Sequence, residues 1–287
     1  PVVSTGTLEM GLSRTRTVDG HAIPADELVT IAYCDGCHPA IVARWRSSAH
    51  RFSSLNDPFY AATLAVSQSH RDPKALGFCG GRHDPALLVS GAMTAAPPKV
   101  GDPFADAGIP CLSCHAMQER PDPVGNGGML VGLPPAYPGY GSDDPEQQEL
   151  NQRLIRSKPE LHKSSLAPPH LREPDLCRAC HKAHLPPELT GHRFLPGQNE
   201  WDPWRESGAG GFSARTFYAP GAQKRCQDCH MPRIEADDPA AKDGTVADHA
   251  FPGGNTALPA ALGDAEWLAR NEAMLRGVVS VDVAAVR

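Results

Sequence analysis

The sequence predicts a mainly α chain with extensive irregular loops, and three observations lead there. Of its 287 residues, 29 are Pro and 27 are Gly. Pro breaks helix interiors and central strands and Gly weakens both, so long helices and a wide sheet are excluded. Only 6% of the residues are aromatic and 40% are hydrophobic, whereas an ordinary domain is roughly 45–50% apolar with Gly counted. Large core-filling side chains are scarce, so something other than side chains supplies part of the core. The third observation is a short Cys/His pattern that recurs four times, each time in a segment able to form a short helix.

The elements follow in order. Ala25 to His50 reads as helix, motif, helix, with Ile41, Val42 and Trp45 at helical spacing and His50 closing the second helix. Asp57-Pro58 forms an N-cap followed by Pro at the first helical position, opening a helix toward His70. Residues 119–145 are a Pro/Gly-rich loop without periodicity, and 147–156 form a helix. Asp264 caps a last helix carrying Trp267, Leu268 and Leu275, which Gly277 ends. Val278 to Val286 alternate like the start of a further β segment. The whole, 1–287, reads as a single domain. The motif spacings are irregular, which excludes a sequence-period repeat. No stretch approaches the roughly 18–20 apolar residues of a membrane helix, so no transmembrane segment is expected.

The recurring pattern is C-x-x-C-H. It comprises Cys34, Cys37 and His38; Cys111, Cys114 and His115; Cys177, Cys180 and His181; and Cys226, Cys229 and His230. This is the signature of covalent c-type haem attachment. Two thiols reach the vinyl groups on one porphyrin edge, and the next residue turns its imidazole onto the iron. A zinc ribbon would need two such pairs roughly 15–20 residues apart, and the gaps here are longer. Disulfides would not explain the His after every pair. Haem c therefore takes the place of the missing aromatic bulk, and the architecture expected is that of a multihaem cytochrome c with haems forming the core. Haem is attached to such motifs outside the cytoplasm. The expected location is periplasmic or extracellular, with a leader that is absent ahead of Pro1.

Each iron needs a second axial ligand or keeps an open face. Thirteen histidines against six methionines favour bis-His ligation, which gives lower potentials than Met ligation. His50, in Trp45-Arg46-Ser47-Ser48-Ala49-His50, is the first distal candidate; His162, His170, His184 and His249 are the others. His184 follows His181 by three, on one face of a helical turn, where it reaches an adjacent haem rather than its own. The ninth cysteine lies in Cys79-Gly80-Gly81-Arg82-His83, a haem motif with Arg in place of its second Cys. Three readings stand: a fifth haem held by one thioether from Cys79 with His83 as proximal ligand, a lost site with a buried thiol, and chance. The first is preferred, because losing a haem would open a large and costly cavity.

Several blocks carry a resemblance. They are Ser48 to Ser54 with Asp57-Pro58-Phe59-Tyr60, Phe78 to Pro85, Cys177 to Leu189, Gly197 to Glu200, Cys226 to Pro232, and Asn255 to Pro259. Over most of its length the chain resembles the multihaem c-type cytochromes related to the tetrahaem electron carriers of nitrifying bacteria and to the hydroxylamine oxidoreductase group. The resemblance implies haems in close pairs, often ligated from distant parts of the chain. It also implies a second site with two cysteines, from which Arg82 departs.

The function expected is electron transfer through four to five closely packed haems. The formal charge of −6, made more acidic by haem propionates, argues against nucleic acid and for a redox partner protein or further cytochrome subunits. Arg44, Arg178, Lys182, Lys224 and Arg225 are candidates for pairing propionates. An oligomer or a cytochrome polymer is compatible with the sequence. The alternative function is a multihaem oxidoreductase acting on a small nitrogen or sulfur compound at an open haem face.

Overall fold

The computed structural model describes residues 8–70, 73–192, 194–211, 223–279, 281 and 283. The described chain is mainly helical with irregular loops. Its helices run from 4 residues to the 13 of Pro58–His70 and Pro145–Ser157. Pro opens many of them, a position where its missing N–H costs nothing. Asp57 caps the first of the long pair by accepting from the Phe59 amide at 2.8 Å. Asp144 caps the second through Glu146 N, and Asp264 caps Ala265–Leu275 through Trp267 N.

Strands are short and pair only in twos. Arg16–Thr17 lies parallel to Leu130–Val131; Lys182–Leu185 is antiparallel to Leu195–Asn199, and Arg233–Glu235 to Thr245–Ala247. The strand Leu130–Val131 falls inside the expected loop 119–145 and gives it an anchor on the N-terminal segment. The expected alternation over 278–286 lies partly outside the described residues; Val278, Val279, Val281 and Val283 are exposed.

Two apolar clusters hold the fold together. One gathers Ile23, Leu28, Val89, Leu112, Met117, Met129 and Val131, with Cys114 and Cys180 packed against it. The other gathers Leu55, Tyr60, Leu64, Leu76, Leu88 and Met93, with Cys79 at its edge. The second and third complete Cys/His motifs and the incomplete one thus lie on the rims of small apolar nuclei. The accessible surface, 16499 Å², exceeds the roughly 11,900 Å² expected of a compact 30.6 kDa chain.

Two local expectations are corrected. The helix after the first motif, Pro39–Arg46, stops before His50. The Ser48 hydroxyl donates to the Trp45 carbonyl at 2.7 Å and turns the chain, so His50 sits in a loop. His184 is not on a helical turn with His181. The helix Asp175–His181 ends at that histidine, and His184 lies on the strand Lys182–Leu185.

Candidate cofactor-binding site

Each complete Cys/His motif lies on or beside a short helix. Cys34 lies in Ile31–Asp35, and His38 sits at the N-terminal boundary of Pro39–Arg46. Cys111–His115, Asp175–His181 and Cys226–His230 are single helical segments. The incomplete motif ends the helix Pro73–His83. One helical turn between the cysteines sets both thiols on one side, which is the geometry that a two-point attachment needs. None of the nine cysteines is in a disulfide.

Three motif histidines face a second imidazole from a distant part of the chain. His38 faces His162 with ring centres 6.2 Å apart, His115 faces His249 at 6.4 Å, and His181 faces His50 at 6.3 Å. A metal binds imidazole nitrogen at about 2.0–2.1 Å and the ring centre lies about 1.2 Å behind, so a trans pair on one metal separates centres by about 6.3 Å, whereas a tetrahedral pair would give about 5.2 Å. The observed centre spacings are those that two histidine ligands on opposite faces of a haem iron would have. Among the described residues no group of three or more His, Cys, Asp or Glu converges on a metal position. The donor set therefore fits haem.

The second nitrogen of each motif histidine is fixed. Nδ1–H of His83 donates to the Ser53 carbonyl at 2.9 Å, that of His230 to Pro252 at 2.8 Å, and that of His115 to Leu166. His38 and His181 use carboxylates instead, Asp238 at 2.8 Å and Glu200 at 3.3 Å. Such partners hold the tautomer and aim Nε2 away, the usual arrangement behind a ligating histidine.

The facing histidines are placed by local devices. His162 rides on the helix Pro159–Leu166. His249 follows the hairpin strand Thr245–Ala247, with its Nδ1 on the Ala247 carbonyl at 2.9 Å. The neighbouring Asp248 is clamped by Arg44 through two hydrogen bonds of 2.8 and 2.6 Å. His50 is held by its own carbonyl, which accepts from Ile109 N at 2.8 Å. Gly108, at φ +68°, makes the close approach possible, since a Cβ there would run into the His50 and Arg51 carbonyls. Phe251 packs on both His50 and His249, 4.2 and 5.6 Å away.

Burial favours the neutral form of these imidazoles, the form a metal-ligating histidine needs. Desolvation, reinforced by the neighbouring His181, His249 and His230, lowers His50 to about 3. Desolvation lowers His249 to about 4 and also lowers His115, His162 and His83.

Two other distal candidates stand apart. His170 has its Nε2 on the Met117 carbonyl at 2.9 Å. His184 stacks on Phe194, and its Nε2 is 3.3 Å from the Asn126 amide. Among the described residues neither faces a motif histidine, and His83 and His230 face no second imidazole. His83 instead stacks on Tyr60, ring centres 4.2 Å apart and planes 7° apart. Tyr60 donates to the buried Asp84 at 2.5 Å, and desolvation raises Asp84 to about 6. Arg82 lies over the Phe78 ring, 4.7 Å from its centre, with its Nε buried and unpartnered.

Motifs also meet each other. The Cys34 and Cys111 thiols interact, as do those of Cys177 and Cys226, which lowers one thiol of each pair and raises the other. The Cys114 thiol, raised to about 12 chiefly by burial, also feels Cys180. Of the expected propionate partners, Arg44, Arg178, Lys182 and Arg225 are paired with Asp248, Asp175, Asp202 and Asp228.

The chain is thus mainly α, and in it three Cys/His-motif histidines each face a second imidazole from a distant segment. No known family profile matches the chain, and no curated protein matches it. Among solved structures it is similar to a penta-haem cytochrome c552 from Thermochromatium tepidum, at 23% identity and a TM-score of 0.47. The likeness covers 82% of this chain and 60% of that one, so the chain spans less than two thirds of that protein's length.

Proposed function

We propose that the chain is a multihaem c-type cytochrome that transfers electrons through four to five covalently bound haems. Three of them would be held by His38 with His162, His115 with His249, and His181 with His50. The observation that carries this reading is the trans-pair spacing of 6.2 to 6.4 Å found at three separate attachment motifs.

When bound, haem supplies a one-electron iron couple, and the chain sets its potential through ligand, hydrogen bonding and burial. The two thiols and the histidine of each complete motif would hold the group, and at the first three of them a neutral histidine from elsewhere, His162, His249 or His50, would supply a second ligand. The interacting thiols of Cys34 and Cys111 and of Cys177 and Cys226, with Cys114 and Cys180 packed on one apolar cluster, support a linear order of attachment sites: first, second, third and fourth complete motif. A fifth haem on Cys79, with His83 as proximal ligand, would stand beside the third complete motif, because the Cys180 Sγ lies 3.9 Å from the Gly81 carbonyl.

Haem attachment to these motifs makes the protein an exported one, periplasmic or extracellular. Among the described residues no helix is long and apolar enough to cross a membrane. The partners are redox proteins or further cytochrome subunits that offer a basic surface to this acidic chain.

Intact mass of the protein purified with its cofactors tests the reading, since each haem adds a fixed increment. Four or five increments are expected, with low-spin spectra in which the three paired irons do not take up carbon monoxide. Fewer than three increments, or carbon monoxide binding at every iron, overturns it.

A further inference from the structure

The partners of the proximal histidines are not equivalent. His83, His115 and His230 donate to neutral main-chain carbonyls. His181 faces Glu200 at 3.3 Å, but those side chains are 43% and 57% exposed, so water screens the charge. His38 faces Asp238 at 2.8 Å, and that carboxylate is fully buried. Its Oδ1 also accepts from Ala240 N at 2.8 Å, while its Oδ2 is buried with no hydrogen-bond partner. Little else disperses the charge.

A carboxylate draws the Nδ1 proton harder than a carbonyl does. That makes the opposite nitrogen a stronger donor to iron and stabilises the ferric state. A buried negative charge acts in the same direction, because the low dielectric leaves it unscreened.

Resting on the cytochrome reading above, we propose that Asp238 is the potential-setting residue of the chain and makes the iron held by His38 the one of lowest potential. The sequence brings it there through the hairpin Arg233–Glu235/Thr245–Ala247. The turn of this hairpin carries Asp238 to His38, and its far end carries His249 to His115. One hairpin thus supplies the charge at the first site and the ligand at the next.

The test is Asp238→Asn in the full protein with its cofactors, titrated spectroelectrochemically. Asn keeps an acceptor and removes the charge. One couple is expected to rise so that its ferric-to-ferrous ratio at a fixed potential falls about tenfold, which is ~59 mV for a one-electron couple. The other couples are expected to move by less than about twofold. No couple moving, or all moving together, overturns the proposal. Peptide mass at Cys34–Cys37 separates the two failures: without haem there the cytochrome reading falls, and with haem there and no shifted couple only the role of Asp238 falls.

A second readout needs no variant. The His38/His162 and His115/His249 rings are similarly inclined, at 23° and 17°, so ligand-plane angle hardly distinguishes them. An imidazolate-like ligand narrows the spread of ferric g values. The iron at His38 should give the narrower signal of the two, and equal spreads overturn the proposal.

Discussion

Arg44 holds Asp248 with both ends of its guanidinium, at 2.8 and 2.6 Å, and the next residue, His249, faces His115. An ion pair between the first motif's helix and the C-terminal hairpin therefore fixes the imidazole of a different motif. The hydrogen bond from Arg44 and its charge hold the Asp248 carboxyl below its ordinary range against desolvation. Replacing Arg44 by Met leaves a nearly buried carboxylate without its partner, at a cost of about 2 kcal/mol. The expected outcome is a lower Tm and one additional iron that binds carbon monoxide, both read on the purified protein. An unchanged spectrum would show that Asp248 does not position His249.

The three facing histidines predict a simple substitution series. His162→Ala, His249→Ala and His50→Ala should each convert one iron, and only one, to a high-spin, carbon monoxide-binding form. The number of attached haems should stay the same. His170→Ala and His184→Ala should leave the spectra as they are, since both rings are engaged elsewhere. A high-spin signal from either would place it among the ligands after all.

Acid should destabilise the protein, and the sign follows from burial. His50 and His249 are lowered to about 3 and about 4 when folded, against about 6.5 in an unfolded chain. Between those values the unfolded chain takes up protons that the folded one refuses, so stability is greatest above about pH 6.5 and falls as pH drops toward 4. Ligation holds the same imidazoles neutral and leaves the sign unchanged. His249 alone contributes on the order of 3 kcal/mol across that window. Urea midpoints measured from pH 7 to pH 4 should fall steadily; a flat profile would contradict the burial of these rings.

Ligand-plane angles should be visible by electron paramagnetic resonance. The His50 and His181 rings are inclined by 57°, the other two pairs by 17° and 23°. Strongly inclined planes bring two iron d orbitals closer in energy and raise the largest g value. The ferric iron between His50 and His181 should show the highest one, and its assignment follows from the loss of that signal in His50→Ala.

Gly108→Ala should act at a distance on the same site. The added Cβ meets the carbonyls of His50 and Arg51 in a backbone already at φ +68°. Displacement of the His50 loop should lower Tm and weaken the closure of the third complete motif's iron, measured as partial carbon monoxide uptake.

The attachment motifs are legible in the sequence because their chemistry is local: two thiols and an imidazole must reach one small ring system within five residues. Helix caps at Asp57 and Asp264 are legible for the same reason, since each satisfies amides two or three residues on. The partners of the motif histidines are not. His162, His249 and His50 arrive from remote segments; the Trp45–His50 segment singles out His50, but nothing in the sequences around His162 and His249 distinguishes them from His170 or His184. His184 even sits at helical spacing from His181, yet pairing with Leu195–Asn199 overrides that and turns it into a strand residue. Asp238 leaves no signal at all. In Asp237-Asp238-Pro239 it looks like an ordinary acidic turn, and only the hairpin's placement buries it against His38.

The thiol contacts between motifs bear on how the protein is made. The Cys34 thiol interacts with that of Cys111 and the Cys177 thiol with that of Cys226, each a partner from another motif. A chain that folded in an oxidising compartment before maturation would be poised to lock these sulfurs together as disulfides and block the vinyl chemistry at all four complete motifs. If these motifs carry haem, an order in which thioether formation precedes compaction would avoid that trap.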